Sequence, residues 1–229
     1  MNRFVLAFAF LTLGYGAASA ATNEAKLSGA LADLKSADAM VRDRAIRTID
    51  RLDASRYAPQ VAAALGDASS LVRFDAVNAL VHFKAKAYVP RIAGLLAGSD
   101  NFVRGAAVCA LGEFGAKSYA RDIAAFLKHN DSVMKRSAVE AIRKLGARQY
   151  AAAVAALLTD PDDDLKSRVI YALGELDARK YAPKISLLLS DHGSAYSYDS
   201  RDKKFIVTTV SAEARRVLGG WGLDPAGRR

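Results

Sequence analysis

His82, His129 and His192 are the three histidines of this 229-residue chain, and Cys109 is its one cysteine. A metal centre or a nucleophilic site would have to be assembled around those side chains. No two histidines stand at the spacing that places metal ligands on one helix face, so no metal is expected. A cysteine nucleophile needs a base within hydrogen-bond reach and a group that orients the base. His82 with Cys109 is the one such pair in view, with Glu113 one turn beyond the thiol. Cys109 lies in an Ala-Val-Cys-Ala-Leu run, however, which reads as packing. Gly-rich phosphate loops and the nucleophile elbow are missing as well. No catalytic residue and no cofactor is expected, and function is sought in surfaces.

The elements that build those surfaces follow from an internal repeat. Tyr57, Tyr88, Tyr119, Tyr150 and Tyr181 are each separated by 31 residues. Leu34, Leu65, Leu96, Leu127, Leu158 and Leu189 keep the same period, as do Ala54, Ala85, Ala116, Ala147 and Ala178. A basic column, Arg42, Arg73, Arg104, Lys135 and Lys166, runs in step. Inside one copy, Val72, Ala76, Val77, Ala79, Leu80 and Phe83 recur at helical steps, which predicts a long helix over 70–84. A shorter helix is predicted over 88–96, with Pro90 tolerated in its first turn. Ser and Asp residues ahead of the long helices suit N-capping, among them Ser69, Asp100, Asp131 and Asp162. A single hairpin is too small to bury its own apolar face, so neighbours must stack.

The period breaks after Leu189. The string Val103, Ala107, Leu111, Gly112, Phe114, Gly115 returns as Val210, Ala214, Leu218, Gly219, Trp221, Gly222, a shift of 107 residues or three periods plus 14. A sixth long helix therefore follows a 14-residue insertion within 190–209. The insertion's two aromatic and β-branched runs, 195–198 and 205–208, flank a charged turn and predict a β-hairpin. It serves either as a cap on the last repeat or as a binding loop presenting Tyr196, Tyr198, Arg201, Lys203 and Lys204.

The pattern Asp67, Val72, Arg73, Ala76, Leu80 resembles the second helix of a HEAT repeat. The 31-residue period resembles the short bacterial variant seen in phycobilin-lyase-type proteins, and the likeness runs from Lys26 to Gly222. It implies an all-α fold: an alpha-solenoid of about six helical-hairpin HEAT-like repeats, with the small β-hairpin before the last helix. It also implies a ladder of Asp–Arg contacts between repeats. Here the Asp column reads Ser36, Asp67, Gly98, His129, Asp160, so the ladder is expected only in part. The His-Glu pairs that hold iron in one enzyme family of this architecture are missing from this sequence. A chromophore-handling, bilin-lyase-like enzyme is the rival implied by the resemblance.

In proteins of this kind the long helices line a concave face. On that expectation the solvent-facing columns are Arg47, Asn78, Cys109, Glu140, Tyr171, then Arg51, His82, Glu113, Lys144, Glu175, then Arg44, Asp75, Ala106, Ser137, Arg168. These vary while the core columns do not, as partner-selecting positions do in repeat proteins, though drift on a solvent face leaves the same pattern. Asn78, His82, Glu113, Glu140, Lys144 and Tyr171 are accordingly the candidate partner contacts on this face. A turn column, Ser55, Lys86, Lys117, Arg148, Arg179, is either a solubilising edge or an anion-binding ridge.

Residues 1–20 read as a secretory signal: Arg3, an apolar run over 4–13, a break at 14–16, and Ala18-Ser19-Ala20 before the cleavage point. The run is about half the roughly 20 residues that span a bilayer. The mature protein is thus expected in the periplasm or secreted, with domain boundaries at 1–20, 21–222 and a tail over 223–229, and with no membrane span after cleavage. The formal charge is +9, and losing Arg3 leaves +8. Export disfavours nucleic acid as the partner. An anionic membrane or cell-wall surface and a protein partner remain, and the chain is read as a binding scaffold.

Overall fold

The computed structural model describes residues 21–199 and 204–223, with backbone alone at 197–199 and 204–206. The expected leader over 1–20, Arg201 and Lys203 in the hairpin, and tail residues 224–229 lie outside them. The chain is helical over 21–33 (α1). Five 13-residue helices then begin at 31-residue intervals: α2 Ala39–Arg51, α4 Ser70–His82, α6 Asn101–Glu113, α8 Ser132–Lys144 and α10 Asp163–Glu175. Their starts are set chemically. Asp38, Asp100, Asp131 and Asp162 each accept a hydrogen bond from a first-turn amide, which satisfies a donor that the helix cannot. Ser69 holds the cap position of α4 without a side-chain bond.

Their ends share a feature that the apolar columns do not reveal. Asp53, Lys84, Gly115, Gly146, Asp177 and Gly222 all have left-handed backbone, with φ between 47° and 73°. The next amide then bonds back across six residues, as Ala54 N–H does to the Ile49 carbonyl at 3.1 Å. This is the Schellman closure, which suits glycine at C′ because it has no Cβ penalty.

The short helices are α3 Ala58–Ala63, α5 Val89–Gly94, α7 Ala120–Ala125, α9 Ala151–Ala155 and α11 Ala182–Ser186. The predicted single helix over 88–96 is instead three pieces: a 3-10 turn at Lys86–Tyr88, α5, and a 3-10 turn at Leu95–Ala97. Segments this short tighten at both ends, because 3-10 bonds satisfy groups that an α-helix leaves open.

The chain divides into two compact units, Met1–Ile92 and Ala93–Arg229. In the first, α2 packs on α4 through side chains such as Ile46, Ile49, Val72, Val77 and Leu80, all fully buried. In the second, α6, α8, α10 and the last helix, α12 Val210–Gly220, pack one on the next. Close approach depends on Gly112 and Gly174. A Cβ on Gly112 would lie 2.9 Å from Ala141 Cα, and one on Gly174 3.1 Å from a Val217 methyl.

β1 Ser194–Asp199 pairs antiparallel with β2 Lys204–Thr209, as the insertion's composition predicts. β1 packs against α10, burying Ala195 completely, while the Tyr196 amide donates to Asp164 at 2.7 Å. One face of the hairpin therefore lies on α10. Its other face is open: Tyr196 is 57% and its cross-strand partner Val207 72% exposed.

Candidate functional site

Two sets of contacts tie repeat to repeat, and they separate the structural face from the candidate binding face. The first is the ladder. Arg42 grips Asp67 through Nε and Nη2, both at 2.7 Å, and Nη1 bonds the Ser36 and Ala37 carbonyls. Lys135 reaches Asp160 at 2.6 Å and Lys166 reaches Asp191 at 2.5 Å. Each pair spans 25 residues. Asp191 extends the acid column two residues into the segment assigned to the insertion, so the repeat register runs further than the apolar columns imply. Arg73 has Gly98 at the equivalent place and bonds the Asp67 and Ala68 carbonyls instead. Arg42 holds Asp67 below the usual carboxylate range against the opposing effect of burial, and the Ser69 amide adds to this.

The second set lies on the variable columns. In the second unit, Lys144 at the end of α8 pairs with Glu113 at the end of α6 and stands 3.5 Å from Glu140. Arg143 bonds Glu140 at 2.6 Å and approaches Glu175 of α10 at 3.9 Å. Its guanidinium lies 5.1 Å from the Tyr171 ring centre, and Arg216 of α12 lies 5.1 Å from the same ring. Arg216 in turn bonds Glu213, a nearly fully buried carboxylate, at 2.5 Å. Tyr171 is thus contacted by a guanidinium from the helix on either side of its own. Such contacts contribute about 0.5–2 kcal/mol each, more as water is excluded.

Burial pushes Glu140 up, but Arg143 and Lys144 outweigh it and hold the carboxyl below its ordinary range. Burial lowers the Lys144 ammonium, and the bond to Glu113 with the charge of Glu140 more than reverses that. The network sets three cations, Arg143, Lys144 and Arg216, among four carboxylates, Glu113, Glu140, Glu175 and Glu213. Arg143, Tyr171 and Arg216 are each held by contacts with neighbouring side chains.

Of the predicted contacts, Glu113, Glu140, Lys144 and Tyr171 are therefore joined in one network. Asn78 and His82 are exposed on α4 in the first unit. His82 pairs there with Asp50 at 2.8 Å, and that bond raises the imidazole above its ordinary value. Cys109 is exposed on α6. Tyr196 is exposed on β1; Tyr198 lies on the same strand with backbone alone described. The third variable column is fully exposed only at Arg44: Ala106 is buried, and Asp75, Ser137 and Arg168 are half-buried. It sits a turn before the exposed positions and rotates toward the neighbouring helix.

Arg143, Arg216 and Glu213 were not foreseen from the columns. Arg143 is the one cation in its column (Asp50, Val81, Gly112, Gly174), and Arg216 matches Tyr171 only when the 14-residue shift is applied. The Glu-x-x-Arg spacings at Glu140–Arg143 and Glu213–Arg216 are the signal that could have marked both. Among the described residues no group of three His, Cys, Asp or Glu side chains could hold a metal ion, and no helix is long and apolar enough to cross a membrane.

Comparison with known proteins agrees with this architecture. No curated protein matches the chain. Among solved structures, the complex of CpcE and CpcF of phycocyanin lyase from Nostoc sp. PCC7120 aligns with TM-score 0.60 and 20% identity over 86% of this chain and 76% of that one. An engineered protein aligns at 0.63 and 17% over 85% and 97%. A designed armadillo repeat protein aligns at 0.57 and 16% over 85% and 99%. At these identities the likeness is one of fold. The family profile described as HEAT repeats matches residues 27–112 and 89–174, more than half of the chain, so this protein belongs to the HEAT-repeat family.

Proposed function

We propose that the chain is an exported scaffold that holds a protein partner on the exposed face of α6, α8, α10 and α12, with the open side of the hairpin as a second contact. The observation that carries this reading is Tyr171, an aromatic flanked by Arg143 and Arg216 inside an ordered ion network. Tyr and Arg dominate the energetics of protein interfaces, and pre-ordered ones bind with less entropic loss. Repeat folds of this family generally serve as interaction scaffolds, which supports the same reading. Export rests on the signal-like residues 1–20, and the mass of the mature protein should begin at Ala21.

Affinity capture from the exported fraction is the test, comparing the wild type with Tyr171→Ala and Tyr196→Ala. Both side chains can be truncated without opening the core, whereas deleting the hairpin would expose the face that Ala195 seals. Loss of the captured partner on Tyr171→Ala is expected; equal recovery by all three proteins refutes the assignment.

A second reading has its own observation. Lys117, Arg148 and Arg179 are exposed along the turn edge of the second unit, and they favour an anionic membrane or cell-wall surface. Binding to acidic vesicles that collapses between low and high salt, and that survives Tyr171→Ala, would select it. The lyase named among the structural neighbours shares the fold at 20% identity, and its activity is not carried over.

A further inference from the structure

The ladder has one step in which a cation meets another donor. Where Arg42 faces Asp67, Arg104 faces His129, again 25 residues on, with Nη2 3.5 Å from the imidazole Nε2. The Asp131 backbone N–H donates to Nδ1 of that ring at 3.0 Å, so Nδ1 is the acceptor and the ring proton sits on Nε2. Two N–H donors therefore converge. The edge of the guanidinium involved, Nε and Nη2, is the edge that grips both oxygens of Asp67 in the Arg42 pair. Nε of Arg104 is buried and meets no acceptor, while Nη2 also donates to Asn101. The Phe126 ring lies under the guanidinium at 5.7 Å and accepts no charge from it.

A cavity of about 390 Å³ beside His129 is lined by Lys128, Asn130, Lys135 and Leu157 and not by Arg104, so the two donors face the space next to it rather than its interior. Lys135 is committed to Asp160, and Lys128 makes no ion pair among the described residues. Asp131 is the acid nearest in sequence, and its carboxylate is turned to the Val133 amide.

We propose that Arg104 and His129 form an oxyanion site, taking a small carboxylate- or phosphate-sized anion in the role that an aspartate side chain plays in the other filled steps. The geometry allows it. An oxygen accepting from both donors at about 2.8 Å would sit about 2.2 Å off the line joining them. Charge-assisted bonds of this kind are the stronger class, and the anion would tie the repeat carrying α6 to the repeat carrying α8 as Asp67 and Asp160 tie theirs. The site is separate from the Tyr171 network and does not depend on the scaffold reading.

The test is a titration of the whole protein with inorganic phosphate at constant ionic strength, read at the histidine Cε1–H signals by NMR. The His129 signal should shift saturably, with a dissociation constant on the order of 1 mM, while His82 stays put. Arg104→Gln should abolish the shift. His129→Asp should restore the ladder: its thermal midpoint should exceed the wild type's without phosphate and no longer respond to phosphate. Acetate tests the carboxylate form of the same ligand, and a response to it in the wild type alone also supports the site. No saturable shift at His129 with either anion, an equal shift in Arg104→Gln, or an equal phosphate response in His129→Asp overturns the proposal. So does a shift that chloride alone produces.

Discussion

Replacing Gly112 by alanine should destabilise the second unit, although alanine is the better helix former. Gly112 lies inside α6, and an added Cβ would stand 2.9 Å from Ala141 Cα and 3.1 Å from Ala141 Cβ in α8. The obstacle is backbone, so no rotamer change relieves it, and the two helices must separate by several tenths of an ångström. Overpacking of this kind costs about 1–3 kcal/mol. The gain in helix propensity offsets about 0.8–1.0 kcal/mol of that, leaving a net loss of about 0–2 kcal/mol. The same column supplies the controls. A Cβ at Gly174 meets only Val217 methyls, at 3.1 and 3.2 Å, and one at Gly219 meets nothing within 4 Å. Gly219→Ala should therefore stabilise by about 0.5–1 kcal/mol, and Gly174→Ala should fall between the two. For a chain of this size 1 kcal/mol moves Tm by about 2–4 °C, so thermal and urea melts of the three variants should rank Gly219→Ala above Gly174→Ala above Gly112→Ala. If Gly112→Ala is as stable as Gly219→Ala, the close approach of α6 and α8 is wrong, and with it the packing that sets the Glu113–Lys144 pair.

Two further outcomes follow from the helix ends and the ladder. Lys84 holds a left-handed φ of 52° at the position where three other copies use glycine and two use aspartate, so Lys84→Gly should raise stability by about 0.5–1 kcal/mol in urea melts, and Gly146→Ala should lower it. The Arg42 bond depresses the Asp67 carboxyl in the folded state, so its contribution is fully present above the ordinary carboxylate value near 3.9 and is lost as pH falls through the depressed folded value. The difference in melting midpoint between wild type and Asp67→Asn should therefore be constant at neutral pH and shrink to nothing through that acid window.

Much of the architecture was legible because a repeat fold writes each structural requirement several times. Five copies of the Tyr and Leu columns locate every hairpin, and a 107-residue shift of one string locates the last helix after the insertion. The left-handed column was hidden, since Asp53, Lys84 and Asp177 share no side-chain chemistry with Gly115 and Gly146; backbone conformation unites them. The ladder was under-read for a similar reason. Asp191 stands beyond the last apolar column, and only the fold brings it to Lys166.

The candidate site divides along the same line. Sequence alone determined which positions share a helix face, because helical periodicity is a local property, and it placed Glu113, Glu140, Lys144 and Tyr171 on neighbouring columns; how far each column turns from the core was set by packing, which draws in Asp75, Ala106, Ser137 and Arg168. Which of them touch was decided by the tertiary structure. Arg143 is the one cation of its column, and it reaches Tyr171 only because α8 and α10 pack side by side. Arg216 joins from the far side of a 14-residue insertion that no period predicts in detail. The His129 step is the clearest case. In the sequence it is a gap in an acid column, and in the fold it is two donors 3.5 Å apart, because the distance between side chains 25 residues apart depends on how one repeat is stacked on the next.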